Sequence, residues 1–230
     1  MNGFLETSVF FGVVLSLLTY GIGCWLHKKF RLALFNPLLI SVILVMVFLK
    51  VSGVSYEVYN EGAKYISYLL TPATVCLAIP LYEQITLLKK NYKAILLGIA
   101  AGVITSLCSV LAMAALFGLN HAYYVTLLPK SITTAIAMGV SEELGGYVTL
   151  TVAVIIITGI LGNMMGEAVC RIFRIREPIA KGVAMGTSAH AVGTARAIEM
   201  GEVEGAISGL SIAVAGLMTV VGASVFAQFL

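Results

Sequence analysis

The sequence predicts an all-α multi-pass membrane protein with about six full spans and two interrupted or re-entrant helical hairpins in an inverted-repeat arrangement. Three observations support this fold class. Hydrophobic residues make up 60% of the 230 residues and charged residues only 11%, too few charges for a water-exposed globular surface. Apolar runs long enough to cross a bilayer, about 20 residues each, recur along the chain. Two further long segments are broken by Gly, hydroxyl and charged residues.

The composition also excludes other classes of protein. A disordered chain needs low hydrophobicity, and a net charge of +3 in small clusters gives no basic face for nucleic acid. The four cysteines lie far apart, with no CxxC pair and no neighbouring His cluster, so we expect neither a disulfide nor a metal site. No cluster of nucleophile, base and orienting acid is visible, so we expect no catalytic residues, no enzyme activity and no cofactor.

Six uninterrupted apolar runs predict the full spans, and we expect the whole chain, 1–230, to form one transmembrane domain. Two more segments are long enough to cross but are interrupted, and we call them the first and second interrupted segments. The prolines of the third run predict a kinked span in which Thr71 and Thr74 either line a cavity or simply pack. The runs lie near residues 4–26, 36–49, 62–82, 94–118, 147–170 and 206–229, and the interrupted segments cover 122–146 and 182–204.

Basic residues in short loops predict the orientation, because such loops face the cytoplasm. Two basic loops, at 28–31 and 89–93, obey this rule when the N-terminus is outside. The third, at 171–181, obeys it only if the first interrupted segment enters from outside and returns. We therefore prefer hairpins for both interrupted segments, in a cytoplasmic membrane. Discontinuous helices that cross fully are the alternative, and they too leave irregular backbone at mid-depth.

An internal repeat links the two interrupted segments. A shift of sixty residues aligns TAIAMGVSEELGGYVTLTVAV, from Thr134, with TARAIEMGEVEGAISGLSIAV, from Thr194, and eight of the 21 positions are identical. Opposed repeats with interrupted segments that meet at the midplane are typical of secondary transporters. We expect N-terminal spans over 1–60, repeat one over 61–146 and repeat two over 147–230.

The first interrupted segment places three hydroxyls after a Pro-Lys pair. Pro129 suits the start of a short helix because it has no N–H, and Ser131, Thr133 and Thr134 follow Lys130. A helix N-terminus carries a partial positive charge, so these hydroxyls predict an anion-binding site. The alternative is that they bond back to the preceding turn. Lys130 either attracts the anion or extends to the outer surface.

The second interrupted segment carries an arginine among small and hydroxyl residues. An Arg at mid-depth costs about 2.5–3.5 kcal/mol even on the gentler insertion scale, so Arg196 requires a partner. A guanidinium binds a carboxylate through two parallel hydrogen bonds. The pattern therefore predicts a small organic anion bound by Arg196 and flanked by Thr187, Ser188 and Thr194.

Each titratable residue of these segments also has a structural alternative. Arg196 either binds an anion, pairs with Glu199 or Glu202, or lies shallow enough to remain in water. His190 either carries a coupled proton or donates to substrate, or it is a neutral interior histidine. Glu142 and Glu202 occupy equal positions in the repeat, where they either couple protons or form solvated segment ends.

At these residues the chain resembles the CidB/LrgB family of bacterial multi-pass membrane proteins, over nearly its whole length. The resemblance rests on NPLL from Asn36, LLTPATVCLAIPLYEQ from Leu69, LLPKSITTAIAM from Leu127, ITGILGNMMG from Ile157 and GTSAHAVGTARAIE from Gly186. Two positions depart from the family pattern. Ala135 stands where relatives often have Pro, and TSAHAVGTAR replaces the commoner TASHGIGTAR.

The resemblance implies two functions. Family members were named for holin-like or antiholin-like control of murein hydrolase activity and autolysis, with a small CidA/LrgA-type membrane partner. Other relatives, including a plastid envelope protein, are associated with transport of monocarboxylates such as pyruvate, glycolate and glycerate. We expect transport of a small organic anion through the bilayer, by a homo-oligomer acting with the small partner, because a holin gives no reason for the Arg, His and hydroxyl clusters. Modulation of autolysis is the alternative.

Overall fold

The computed structural model describes residues 10–30, 35–69, 72, 75–76 and 78–230, and all regular structure within these ranges is helical. This confirms the all-α prediction. A short 3-10 turn, Ala227–Phe229, follows the last helix. The helices are α1 Phe11–Phe30, α2 Pro37–Ser52, α3 Tyr56–Ser67, α4 Ala78–Glu83, α5 Ile85–Phe117, α6 His121–Leu127, α7 Thr134–Glu143, α8 Val148–Ile172, α9 Pro178–Met200 and α10 Glu202–Phe226.

Three of the helical stretches are long and apolar enough to cross a membrane, namely Ile85–Phe117, Val148–Ile172 and Glu202–Phe229. They correspond to the last three predicted spans. Helix α2 is apolar but has only 16 residues. The chain is therefore a helical protein with membrane-spanning elements, and the count of six spans stays a prediction.

Part of the predicted span 62–82 lies outside the described residues, and so do Thr71 and Thr74. Within the described ranges, α3 ends at Ser67 and α4 starts at Ala78. The first nine residues, which bear on the predicted external N-terminus, also lie outside them.

The chain divides into two compact units, Met1–Cys76 and Leu77–Leu230. In the first unit, the Thr19 hydroxyl on α1 lies 2.9 Å from that of Ser41 on α2. The Ser16 hydroxyl lies 2.7 Å from the hydroxyl of Tyr59 on α3. These bonds satisfy polar groups on otherwise apolar helices, so α1 packs against both of its neighbours.

Helices α5 and α10 form the core of the second unit. The buried residues of α5 recur at helical spacing, as in Ile95, Ile99, Val103 and Leu107, so one face of this long helix is packed and the other is exposed. They share a hydrophobic cluster with buried residues of α10 such as Ile207. This pair of helices supports both interrupted segments.

The first interrupted segment consists of α6, a turn over 128–133 and α7. The Tyr124 hydroxyl on α6 donates to the carbonyl of Phe226 at the end of α10 (2.8 Å). The Thr151 hydroxyl on α8 lies 3.1 Å from the Thr126 carbonyl and 2.7 Å from the Ser141 hydroxyl. Residues of α6 and α7 thus meet beside the start of α8, which means that the chain enters and returns at the same end.

The second interrupted segment is broken in the middle of α9. Ala189 and His190 have non-helical backbone angles, with φ 42° and ψ −140° at His190. A Cβ built on Gly193 would lie 2.7 Å from the carbonyl oxygen of Met185. Eight residues of continuous helix would separate these positions by about 12 Å, so the two arms of α9 fold back side by side.

Contacts with α10 give the direction of each arm. In the first arm, Gly182 lies against Ile207 and Gly186 against Ser211, so this arm runs parallel to α10. In the second arm, the Thr194 hydroxyl lies 2.6 Å from that of Ser208, whereas Ile198 packs against the earlier Gly205, so this arm runs antiparallel. The segment enters and returns beside the start of α10.

Both breaks converge on one residue of α8. Ile155 is buried with Ile132 from the turn of the first segment and Ala137 from α7. The ring Nε2 of His190 donates to the carbonyl oxygen of Ile155 (3.0 Å). The two interrupted segments therefore approach from opposite ends of α8 and meet at Ile155, about two turns from its start.

Candidate functional site

A cavity of about 880 Å³ lies between α5, the turn of the first interrupted segment and the first arm of α9. Helix α5 approaches α9 closely here, because a Cβ on Gly102 would lie only 2.9 Å from the Thr187 hydroxyl. Lys130 and Ser131 contribute from the turn, and Thr187 and Ser188 from α9. One cavity thus receives residues from both interrupted segments.

Lys130 is linked to two of the hydroxyls that line the cavity. Its ammonium donates to the Ser131 hydroxyl (3.0 Å), which lies 3.2 Å from the hydroxyl of Ser106 on α5. Among the described residues that line the cavity, Lys130 is the one cation and Glu177 the one carboxylate. No carboxylate within the described ranges forms an ion pair with Lys130. The lysine can therefore accept an anionic partner from outside the protein.

Three of the predicted substrate-binding residues line this cavity, namely Ser131, Thr187 and Ser188. The Thr187 hydroxyl donates to the Val183 carbonyl (2.8 Å) and that of Ser188 to the Ala184 carbonyl (2.6 Å). Both hydroxyls thus bond back to the preceding turn, yet each oxygen keeps a lone pair for a donor in the cavity.

Five predicted residues are absent from the walls of this cavity. Thr133 and Thr134 lie at the start of α7, and the Thr133 side chain makes no capping bond there. His190 and Thr194 are buried, where they bond to α8 and α10 through Ile155 and Ser208. The bonds of His190 and Thr194 join the second segment to its neighbours; the fifth residue is Arg196.

Arg196 pairs with two carboxylates in the structure. One guanidinium nitrogen donates to Glu199 (2.6 Å) and another to Glu167 on α8. The side chain is one-third exposed. The ion pair with Glu199, which the sequence left open as an alternative to anion binding, is therefore present, and Glu167 adds a second partner.

The two proposed coupling residues lie at segment ends. Glu142 is exposed in the last turn of α7, and Glu202 is exposed in the first turn of α10. Neither lines the cavity. Their role in proton coupling stays a prediction.

Two features of the site escaped the sequence interpretation. Thr105, Ser106 and Ser109 line the cavity from α5. Their spacing could have revealed them in the sequence, because together with Gly102 they lie on one face of an apolar helix. Glu167, the partner of Arg196, was the only acidic residue within the apolar run 147–170. An isolated carboxylate in a membrane span calls for a basic partner.

The comparisons with known proteins agree with the sequence resemblance. The LrgB-like family model matches residues 16–229. The chain is 43% identical over 222 residues to proteins of Bacillus cereus strains B4264 and AH187 and of Bacillus anthracis strain A0248, covering 96% of this chain and 96% of each relative. Each relative is named antiholin-like protein LrgB.

No solved structure matches this chain significantly. The family assignment therefore rests on sequence, and the match extends across the cavity and both interrupted segments. Together with the three apolar helices it identifies a helical membrane protein. The chain belongs to the LrgB-like family.

Proposed function

We propose that this chain is an antiholin-like protein that acts in the cell membrane and moderates murein hydrolase activity and autolysis. The observation that carries this proposal is the 43% identity, across 96% of both chains, to relatives with that printed name. A small membrane protein of the CidA/LrgA type is the proposed partner.

The test is an autolysis assay in a Bacillus strain that lacks its own antiholin-like gene. Expression of this chain, with and without the small partner, should slow detergent-induced lysis and reduce the murein hydrolase activity released into the medium. An unchanged lysis rate, with the chain detected in the membrane, would contradict the proposal. If lysis slows only when both proteins are present, the partner is required.

A second candidate function, at the molecular level, is transport of a small monocarboxylate such as pyruvate or glycolate. The cavity supports it, because Lys130 brings one positive charge to a space also lined by the hydroxyls of Ser131 and Ser106, which lie 3.2 Å apart. A carboxylate can accept hydrogen bonds from an ammonium and from hydroxyls together. The cation and the hydroxyls match a singly charged organic acid.

The arrangement of the interrupted segments also supports transport. They approach from opposite ends of α8 and meet near Ile155, which is the arrangement that an inverted repeat with a midplane site requires. In this proposal the substrate binds at Lys130, and movement of one group of helices against the other exposes the cavity to each side in turn. Arg196 acts as a positioning residue, because Glu167 and Glu199 already neutralise it.

Uptake of labelled pyruvate or glycolate into proteoliposomes tests this candidate. Lys130→Gln should reduce uptake strongly, whereas Lys89→Gln, a change of the same type on an exposed part of α5 outside the cavity, should leave it unchanged. Entrapped dye provides the control for leakage. Equal uptake by the wild type and Lys130→Gln would remove the lysine from the site, and dye release without selective uptake would favour a holin-like pore.

One variant relates the two functions. If slower autolysis results from carboxylate movement, Lys130→Gln should lose both uptake and the effect on lysis. If the variant loses uptake but still slows lysis, the antiholin-like role depends on another surface of the protein.

A further inference from the structure

A second cavity, of about 290 Å³, lies where α8 ends and α9 begins. Its walls are strongly basic. Arg171, Arg174, Arg176 and Lys181 line it, and Glu167 is the one carboxylate among the described lining residues. Neither of the two proposed functions assigns a ligand to this cavity.

Part of the charge in this cavity is already neutralised. Glu167 bonds to Arg196 and also lies 3.2 Å from Arg171. Lys181 has Glu204 at 3.8 Å, the outer limit of an ion pair. Glu167, the carboxylate of the cavity lining, is therefore already paired, and part of the basic charge of the cavity is not neutralised.

Two arginines supply that remaining charge. Arg174 and Arg176 are exposed, and no carboxylate in the described ranges lies within ion-pair distance of either. Guanidinium groups bind phosphate oxygens through paired hydrogen bonds. Two guanidinium groups at the rim of one cavity are therefore suited to a phosphate-bearing anion.

The backbone holds this turn in a defined shape. Arg174 has a left-handed conformation, with φ 56°, which is uncommon for a residue other than glycine. The Ile175 N–H donates to the Cys170 carbonyl (2.8 Å), which closes the end of α8. The turn therefore keeps Arg174 and Arg176 at the rim of one cavity.

The neighbouring apolar side chains indicate the source of the phosphate. Ile172 and Phe173, at the end of the membrane-spanning helix α8, are each 73% exposed. Such side chains at the end of a span face the lipid interface, whereas a site for a soluble anion has no need of them. We infer that this cavity binds the headgroup phosphate of an anionic phospholipid between Arg174 and Arg176, with Ile172 and Phe173 against its acyl chains.

Native mass spectrometry of the full-length protein in a neutral detergent tests this site with three probes, phosphatidylglycerol, phosphatidylcholine and inorganic phosphate. The wild type should bind phosphatidylglycerol in preference to phosphatidylcholine, and millimolar phosphate should not displace it. Arg174→Gln/Arg176→Gln should weaken phosphatidylglycerol binding roughly thirty-fold, since each basic residue at an anionic lipid surface contributes roughly a five- to six-fold change in affinity.

Two further variants separate a specific site from a general effect of charge or folding. Lys89→Gln/Lys90→Gln removes the same charge from exposed positions on α5 outside the cavity and should bind phosphatidylglycerol like the wild type. Arg174→Lys/Arg176→Lys keeps the charge and should retain part of the binding. Equal weakening by both Gln pairs, or unchanged binding in the arginine pair, would overturn the proposal. Displacement by inorganic phosphate would also overturn it, in favour of a soluble anion.

Discussion

The two interrupted segments share a backbone plan but use their charged residues differently. In the first, Lys130 faces a cavity and has no carboxylate partner within the described ranges. In the second, Arg196 pairs with Glu167 and Glu199. The aligned threonines differ as well, because Thr194 is buried while Thr134 is partly exposed. A sequence repeat can therefore mark a shared chain path without a shared chemical role.

The largest expected difference between the segments concerns close packing. A Cβ on Gly162 of α8 would overlap the Cβ of Ala189 at the break in α9. Overpacking of this kind typically costs 1–3 kcal/mol, and we expect about 3 kcal/mol here because both groups lie on packed backbone. Gly162→Ala should therefore lower the thermal midpoint of the purified protein in detergent by several degrees.

The matched control for Gly162→Ala lies in the first segment. A Cβ on Gly139 of α7 would meet no atom within 4 Å. Since alanine favours a helix over glycine by about 0.8–1 kcal/mol, Gly139→Ala should raise the thermal midpoint slightly. If both variants had the same effect, the close contact between α8 and the break in α9 would be excluded.

The next expected difference concerns the two cations. Lys130→Gln should weaken the apparent affinity for carboxylate by roughly tenfold to a hundredfold, because a hydrogen bond to a charged group contributes about 1.5–3 kcal/mol. Arg196→Gln should reduce stability instead, since it leaves Glu167 without its principal partner. We would measure uptake per folded molecule and the thermal midpoint for both variants, to test whether Lys130 acts in binding and Arg196 in stability. A loss of affinity in Arg196→Gln at unchanged stability would place Arg196 in the site.

A smaller difference is expected for the aligned threonines. Thr194→Val leaves the buried Ser208 hydroxyl without its partner at 2.6 Å, which should destabilise the protein by about 1–2 kcal/mol. Thr134→Val lies at a partly exposed helix start, where changes stay within about 0.5 kcal/mol. Thermal denaturation of both variants in the same detergent measures the contrast. Equal losses of stability would show that the Thr134 hydroxyl also makes a buried hydrogen bond.

The smallest effect is expected for the glutamates at matching repeat positions. Glu142→Gln and Glu202→Gln change exposed side chains, so each should alter the free energy of unfolding by less than about 0.5 kcal/mol. The sequence leaves proton coupling and solvated segment ends open for these two residues, and an unchanged pH profile of uptake in both variants would show that they are solvated ends. A shifted profile in either one would instead identify that carboxyl as a coupling group.

The sequence predicted the helical class and both breaks because these depend on local signals. Hydroxyl and glycine residues interrupt apolar runs at 122–146 and 182–204, and the structure has non-helical backbone within each. The resemblance to the CidB/LrgB family is confirmed by the match over residues 16–229. Local composition and family motifs were sufficient for these conclusions.

The contents of the cavity were harder to predict because they depend on pairings distant in sequence. Arg196 meets Glu167 across 29 positions of chain, and no local pattern specifies that contact. The hydroxyl of Ser106 faces the cavity only because α5 turns that side towards α9. Three of the eight predicted binding residues line the cavity, and the roles of all eight stay predictions.

The position of Ile155 has a consequence for how the two interrupted segments can move. Its side chain is buried in one cluster with Ile132 and Ala137, while its carbonyl oxygen accepts a hydrogen bond from His190. If one interrupted segment moves and shifts Ile155, the contact of the other segment with Ile155 must change as well. Under the alternating movement proposed above for transport, a shift in one interrupted segment would therefore be transmitted through Ile155 to the other.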